Sequence, residues 1–253
     1  MHPSLEAVGL VPALALVVAA LRPSRDRALA AAVALALIFG AFITELQQLA
    51  THTFLWAHLL QNVVLAEWAP ALLVLAVPEN KLRNLRVPML PALIVWLGTY
   101  FVWHVPVIYD AALRRPHTLL HVEHLTYLIA GIALWWPVIR GRQPPGVKAL
   151  YLFAAFVLAS PLGLLLALIP RAIYPFYVHA PRTWGPRPLA DQQIAGVTMA
   201  LEQAAVFFAV FAVYLMRFLR EEQREPELLR RSVGGSGPGR PAHHELERQQ
   251  LRP

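Results

Sequence analysis

The chain has 253 residues, 57% of them hydrophobic and only 15% charged, where soluble domains average roughly 45–50% and 25%; its mean hydropathy is +0.50, which excludes an ordinary soluble globular enzyme. The absence of cysteine excludes disulfides, thiolate metal ligands and a cysteine nucleophile. A net charge of +7 raises nucleic acid as a partner, but no basic segment interleaves with stacking aromatic residues, and basic loops beside a lipid bilayer account for the excess.

The apolar runs are long and unbroken, unlike the roughly ten-residue alternating strands of a membrane barrel, so spanning helices are expected. In chain order they cover approximately Leu5–Leu21, Ala28–Thr44, Phe54–Val77, Leu90–Trp103, Leu119–Ile139, Val147–Ile169 and Ile194–Phe218. The expected fold is all-α: a polytopic bundle of about seven transmembrane helices over residues 1–219. Residues 220–253 turn charged and rich in Gly, Pro and Ser, and read as a disordered tail. The first run has no Lys or Arg before it, whereas Arg22, Arg25 and Arg27 follow it, the reverse of a signal peptide.

Loop charge sets the expected orientation. The first, third and fifth loops carry Arg22, Arg25 and Arg27; Lys81, Arg83 and Arg86; and Arg140, Arg142 and Lys148. The tail opens with Arg217, Arg220 and Arg224, while the second loop has no Lys or Arg. The fourth has Arg114 and Arg115, and the long sixth has Arg171, Arg182 and Arg187. The odd loops and the tail are placed in the cytoplasm and the N-terminus outside.

That orientation collects His52, His58, His104, His117, His121 and His124 at the outer face. Pro116 suits the first turn of a helix, so the spacing His117-x3-His121-x2-His124 predicts three imidazoles on one stripe of helix five. Imidazole is the commonest protein metal ligand and suits copper, zinc, iron and nickel. His58 and His104, from neighbouring helices, complete a candidate site of three or four ligands. A histidine alone at an interface is more often a wet amphipathic residue, the reading given to His2, His52 and His179. Glu67 and Glu202 lie deep in the third and seventh runs, where a carboxyl must be paired, neutralised or watered. Each is read as a proton or cation path, a partner for a histidine, or a protonated structural group. Asp191, before Gln192 and Gln193, is a reasonable N-cap for its own helix. Trp56, Trp103, Trp135 and Trp136 fit an aromatic belt. No nucleophile–base pair or hydrolase motif stands out, and no catalytic residue is assigned.

Four motifs in order carry a resemblance. They are AHLLQNVVLAEWAPALLVLAVP (Ala57–Pro78), WHVPVIYDAAL (Trp103–Leu113), LLHVEHLTYLIAGIALWWPVI (Leu119–Ile139) and DQQIAGVTM (Asp191–Met199). The sequence resembles the CtaG family of bacterial cytochrome c oxidase assembly factors, the seven-helix type. The resemblance implies help in maturing a haem–copper oxidase, at its copper centres, in the bacterial plasma membrane, with the oxidase subunits as partners. It places His58, His104, His121 and His124 at the family's histidine positions. The family pattern HxxQH is HLLQN here, so Asn62, a poor copper ligand, replaces a histidine, and Glu67 or His52 is a candidate substitute. Met199 in the last motif is near enough the outer half to help; Met216 is not. Two alternatives stay open. One is a haem-binding electron carrier with His58 and His124 as axial ligands. The other, ranked last because no internal repeat is evident, is a metal-ion or small-solute transporter using Glu67 and Glu202.

Overall fold

The computed structural model describes residues 6–234; His2, His243 and His244 lie outside them. Among the described residues there are helices and no strands. All seven apolar runs are helical. A π-helical turn, Glu6–Leu10, leads into α1 (Val11–Leu21), and α2 (Arg25–Ile43) follows. A short α3 (Glu45–His52), which apolar pattern alone does not indicate, precedes α4 (Leu55–Val63), a π-helical turn (Val64–Trp68) and α5 (Ala69–Ala76). Next come α6 (Met89–Trp103), α7 (Pro106–Leu113), α8 (Leu119–Ile139), α9 (Pro145–Leu168), the single turn α10 (Pro175–Val178) and α11 (Pro188–Gly234).

Five of these helices are long and apolar enough to cross a membrane: α2, the continuous Leu55–Ala76, α8, α9 and the Pro188–Arg224 part of α11. A sixth span is possible if α6 and α7, bent by 75° at their junction, act as one; Val8–Leu21 is a shorter apolar helix. Largely apolar helices such as α9 expose Leu150, Leu164 and Leu165, as lipid-facing surfaces do. The tail expected to be disordered from Arg220 starts as helix: α11 runs on to Gly234, through a stretch rich in Glu, Gln, Arg and Leu, all good helix formers. Residues from 235 onward lie outside the described part.

Proline chemistry shapes the centre of the bundle. Pro70 has no N–H to give the carbonyl four residues earlier, and its ring crowds that carbonyl. The helix relaxes into the wider Val64–Trp68 turn, and the Ala66 carbonyl accepts from Trp96 Nε1 at 3.3 Å instead. Gly131 of α8 sits against this carbonyl: a Cβ there would lie 2.4 Å from Ala66 O. Pro106 makes the other break. The residue before a proline avoids the helical region, and Val105 is extended at φ −64°, ψ 122°. The chain therefore turns at His104. α11 packs along α9 through small residues, with Gly163 and Gly196 in backbone approach.

Two expectations change. Trp103, Trp135 and Trp136 are buried rather than placed in an aromatic belt; Trp135 stacks on Phe207 with centroids 5.7 Å apart. Asp191 does not cap its own helix. It lies within α11 and caps α4, accepting from Leu55 N at 3.0 Å and Trp56 N at 3.1 Å. Phe54, the residue before α4, offers no side-chain acceptor, so the cap is supplied from across the fold.

Candidate functional site

The polar centre lies at the bundle end where the N-terminal helix, α4 and α8 begin and α6 ends. On α8, His121 and His124 are three residues apart and share a face. Both Nδ1 atoms lie 2.6 Å from Glu6 Oε1 at the start of the N-terminal helix. The ligand atoms of Glu6, His121 and His124 lie within 4.8 Å of one another, close enough to share a metal ion. On α4, His58 and Asn62 are four apart and share a face. They meet Glu123 of α8: Asn62 Nδ2 donates to Glu123 Oε1 at 2.9 Å, and His58 Nε2 stands 3.5 Å from the same oxygen. The His58 and His124 rings are 5.9 Å apart, edge to face, with Tyr109 packed 5.0 Å from His58 and Phe42 4.9 Å from His124.

Hydrogen bonds orient the imidazoles. Tyr177 donates its single hydroxyl proton to Ala50 O at 2.5 Å, so its oxygen accepts from His58 Nδ1 at 3.0 Å. Burial, and then the Glu123 charge, push the Tyr177 phenol well above its usual range, which keeps that proton in place. His104 Nδ1 donates to Tyr100 O at 2.7 Å, and the Glu6 carboxylate draws the Nδ1 protons of His121 and His124. In His104 and His124 the other nitrogen, Nε2, is buried with no hydrogen-bond partner among the described residues, while in His58 it faces the Glu123 carboxylate at 3.5 Å. A metal-ligating histidine has this form: one ring nitrogen held by an oxygen acceptor, the other free. His104 also lines a small cavity of about 10 Å³ with Asn62, Glu67, Tyr100, Tyr127 and Met199. That is the scale of one water-sized occupant.

The connection from α9 to α11 closes this end. Besides Tyr177, Tyr174 donates to His104 O at 3.0 Å, and Asp110 on α7 accepts from Phe176 N at 3.0 Å. Arg182 bonds Tyr177 O at 2.9 Å, Pro186 O at 2.7 Å and Asp191 Oδ2 at 3.0 Å. Gly185, at φ +83°, lets the chain pass over Phe54, where a Cβ would lie 2.5 Å from the ring.

The remaining candidates are elsewhere. α8 begins at Leu119, so Pro116 and His117 lie in the preceding turn; His117 is exposed and off the stripe. His52 is exposed, its Nδ1 bonded to Thr51 Oγ1 and Gln48 O. His52 is thus turned to its own helix, whereas Glu67 shares the small cavity with Asn62 and His104. Glu67, in the π-helical turn, accepts from Gln203 Nε2 at 3.2 Å, and Gln203 reaches Tyr100 at 2.8 Å. Glu202 accepts from Trp68 Nε1. Two acidic residues at the centre escape a reading of the sequence, Glu6 and Glu123. Both carry the signal used for Glu67: a carboxyl inside, or at the mouth of, an apolar run.

The cytochrome c oxidase caa3 assembly factor family model matches residues 13–221. The chain belongs to this family. No curated protein and no solved structure gives a match. The match spans α2 through the apolar part of α11, and with it His58, His104, His121 and His124. Glu6, whose carboxylate joins His121 to His124, precedes the matched region. As a family member with several apolar spans, the protein is a multi-pass membrane protein with a role in assembling cytochrome c oxidase.

Proposed function

We propose that the protein assists formation of the oxidase copper centres by holding a copper ion, as cargo, at the histidine end of the bundle. That end is proposed to face the outside of the bacterial plasma membrane, with the N-terminus outside and the tail in the cytoplasm, because the arginine-rich loops gather at the opposite end. The observation that carries the reading is the pattern of nitrogens. Three buried imidazoles each have Nδ1 bonded to an oxygen acceptor, leaving Nε2 unpaired in His104 and His124 and facing the Glu123 carboxylate in His58. A copper ion shared by Glu6, His121 and His124 would take the place of the Nδ1 protons that Glu6 accepts; these oxygen and imidazole donors suit copper(II), and the thioether of Met199 beside His104 adds a softer donor suited to copper(I). Asn62 supports Glu123 instead of binding metal. The role is receipt and transfer of an ion to the oxidase subunits, without a catalytic turnover.

Metal analysis of the purified full chain tests this. Wild type is expected to carry copper, and His121→Ala and His124→Ala to lose it; equal copper in all three overturns the site. Deletion in cells is expected to lower the copper content of the oxidase. The haem reading has less support, since the rings of Tyr109 and Phe42 already pack against His58 and His124. A Soret band in protein purified from haem-replete cells would favour it instead.

A further inference from the structure

The opposite end of the bundle holds a second concave site. A cleft of about 760 Å³ opens between the α5–α6 connection and the α8–α9 connection. Arg83 and Arg86 line it from one side, Arg140 and Arg142 from the other, with Met89 and Trp136 forming apolar wall. No carboxylate lines it. Arg83, Arg86 and Arg142 are exposed, as basic loop residues usually are, and alone they would mean only a solvated interface.

Arg140 is different. It caps the C-terminus of α8, where a positive charge meets the negative end of the helix dipole. Its Nε and Nη2 atoms are buried and have no acceptor among the described residues. A guanidinium has five donors and no acceptor, and it cannot shed its charge at neutral pH to escape burial. The carboxylate close enough to matter, Glu79, is bound to Arg27 at 2.5 Å, and Arg27 itself repels Arg140. The protein therefore leaves a partly buried, fork-shaped cation in the wall of the cleft, two of its donors unpaired and its counter-charge missing. Fork geometry matches a phosphate, which accepts two parallel N–H bonds.

A separate apolar surface begins at the next residue along the chain. Gln143 lines the cleft, and the next residue, Pro144, begins an apolar groove of about 530 Å³ between α9 and α11. Leu150, Phe153, Phe211 and Phe218 form the groove. A charged head with an adjacent apolar channel is the shape of a phospholipid, and basic pockets between spanning helices recognise anionic head groups.

We infer that this cleft is a binding site for a phosphate group, that of an anionic phospholipid, gripped by Arg140 with Arg83, Arg86 and Arg142 around it. The site is independent of the histidine end and of any metal there.

The test uses the full-length protein in nanodiscs of phosphatidylcholine with a minor fraction of phosphatidylglycerol, read by native mass spectrometry of retained lipid. Wild type is expected to retain phosphatidylglycerol in preference to phosphatidylcholine. Arg140→Gln is expected to lower that retention about tenfold, as losing one charge-assisted phosphate contact should. Arg86→Gln, at an exposed position that leaves folding intact, is expected to lower it in the same direction. Arg25→Gln, an exposed arginine outside the cleft, is expected to leave it unchanged. A parallel arm adds inorganic phosphate to protein in phosphatidylcholine alone. Phosphate that raises the melting temperature of wild type but not of Arg140→Gln, and displaces bound phosphatidylglycerol, would keep the phosphate site and name a soluble source. Loss of retention in Arg25→Gln equal to that in Arg140→Gln would show diffuse attraction to basic loops and overturn the site. So would retention that is the same in wild type, Arg86→Gln and Arg140→Gln.

Discussion

The two ends of the bundle solve one problem in opposite ways. At the histidine end three carboxylates are buried and each is held by groups from other elements: Glu6 with α8, Glu123 with α4, Asp191 with α4 and Arg182. At the arginine end most charges stay in water, the α5–α6 connection has no helix, and the buried guanidinium of Arg140 lacks an acceptor. A charge in or beside a low-dielectric slab must be paired or wetted. Pairing fixes geometry, which a metal ion with set coordination needs; wetting leaves side chains free to adjust to a lipid head group. The histidine end is thus the rigid end, and its polar contacts should carry more stability per residue.

Asp191→Ala should have the largest effect. It strands the first N–H groups of α4 and leaves Arg182, only 12% exposed, without its carboxylate. Breaking a buried pair by removing one partner costs about 3–5 kcal/mol. A denaturation midpoint measured in detergent should fall accordingly. A loss within experimental error would mean that the loop over the histidine end does not brace α4. Gly131→Ala comes next. Its Cβ would lie 2.4 Å from the Ala66 carbonyl and 2.6 Å from the Pro70 ring, so α8 must move away from the π-helical turn, at about 1–3 kcal/mol for overpacking. Gly98→Ala is its control: a Cβ there meets nothing within 4 Å, so the change should be neutral or stabilising. Equal losses at both positions would remove the close approach as the cause.

Long apolar runs made the helices legible because lipid demands them, although five, or six with the bent α6–α7 pair, reach spanning length among the described residues where seven were expected. Residue spacing made His121 and His124 neighbours, since three residues apart on a helix share a face. Spacing does not say which helices touch. The joining of α8 to the N-terminal turn by Glu6, and to α4 by Glu123 and Asn62, is a tertiary fact. The same holds for Asp191, which looks like a local cap and serves a helix 136 residues away in sequence. His117 was misplaced because Pro116 suits a first helical turn as well as the turn it occupies before α8. The π-helical turn and the bend at His104 were written in Pro70 and Pro106, but a proline says that a helix must adjust, without saying how.

Tyr177→Phe separates orientation from ligation at the histidine end. It removes the donor to Ala50 O and the acceptor of His58 Nδ1 while keeping the ring. The stability loss should be about 1–2 kcal/mol. Copper affinity, if the site is as proposed, should fall by about 10–100-fold, as it does when a partner that orients a ligating histidine is lost. Unchanged copper affinity with lowered stability would make Tyr177 a packing residue and free His58 from the site.

Arg27→Ala should have the smallest effect, and it bears on the arginine end. Arg27 bonds Glu79 at 2.5 Å and Val77 O at 2.9 Å, yet the Glu79 side chain is 81% exposed. An ion pair that open contributes at most about 1 kcal/mol. Removing Arg27 also relieves its repulsion of Arg140 and releases Glu79 to approach that guanidinium. The losses and gains should nearly cancel, leaving the midpoint almost unmoved. Added salt should weaken what remains of the wild-type pair, because exposed charges are screened, while leaving the buried Asp191–Arg182 pair intact. A loss for Arg27→Ala as large as that for Asp191→Ala, and insensitive to salt, would make the arginine end as rigid as the histidine end. The open cleft around Arg140 would then be a fixed socket rather than an adjustable one.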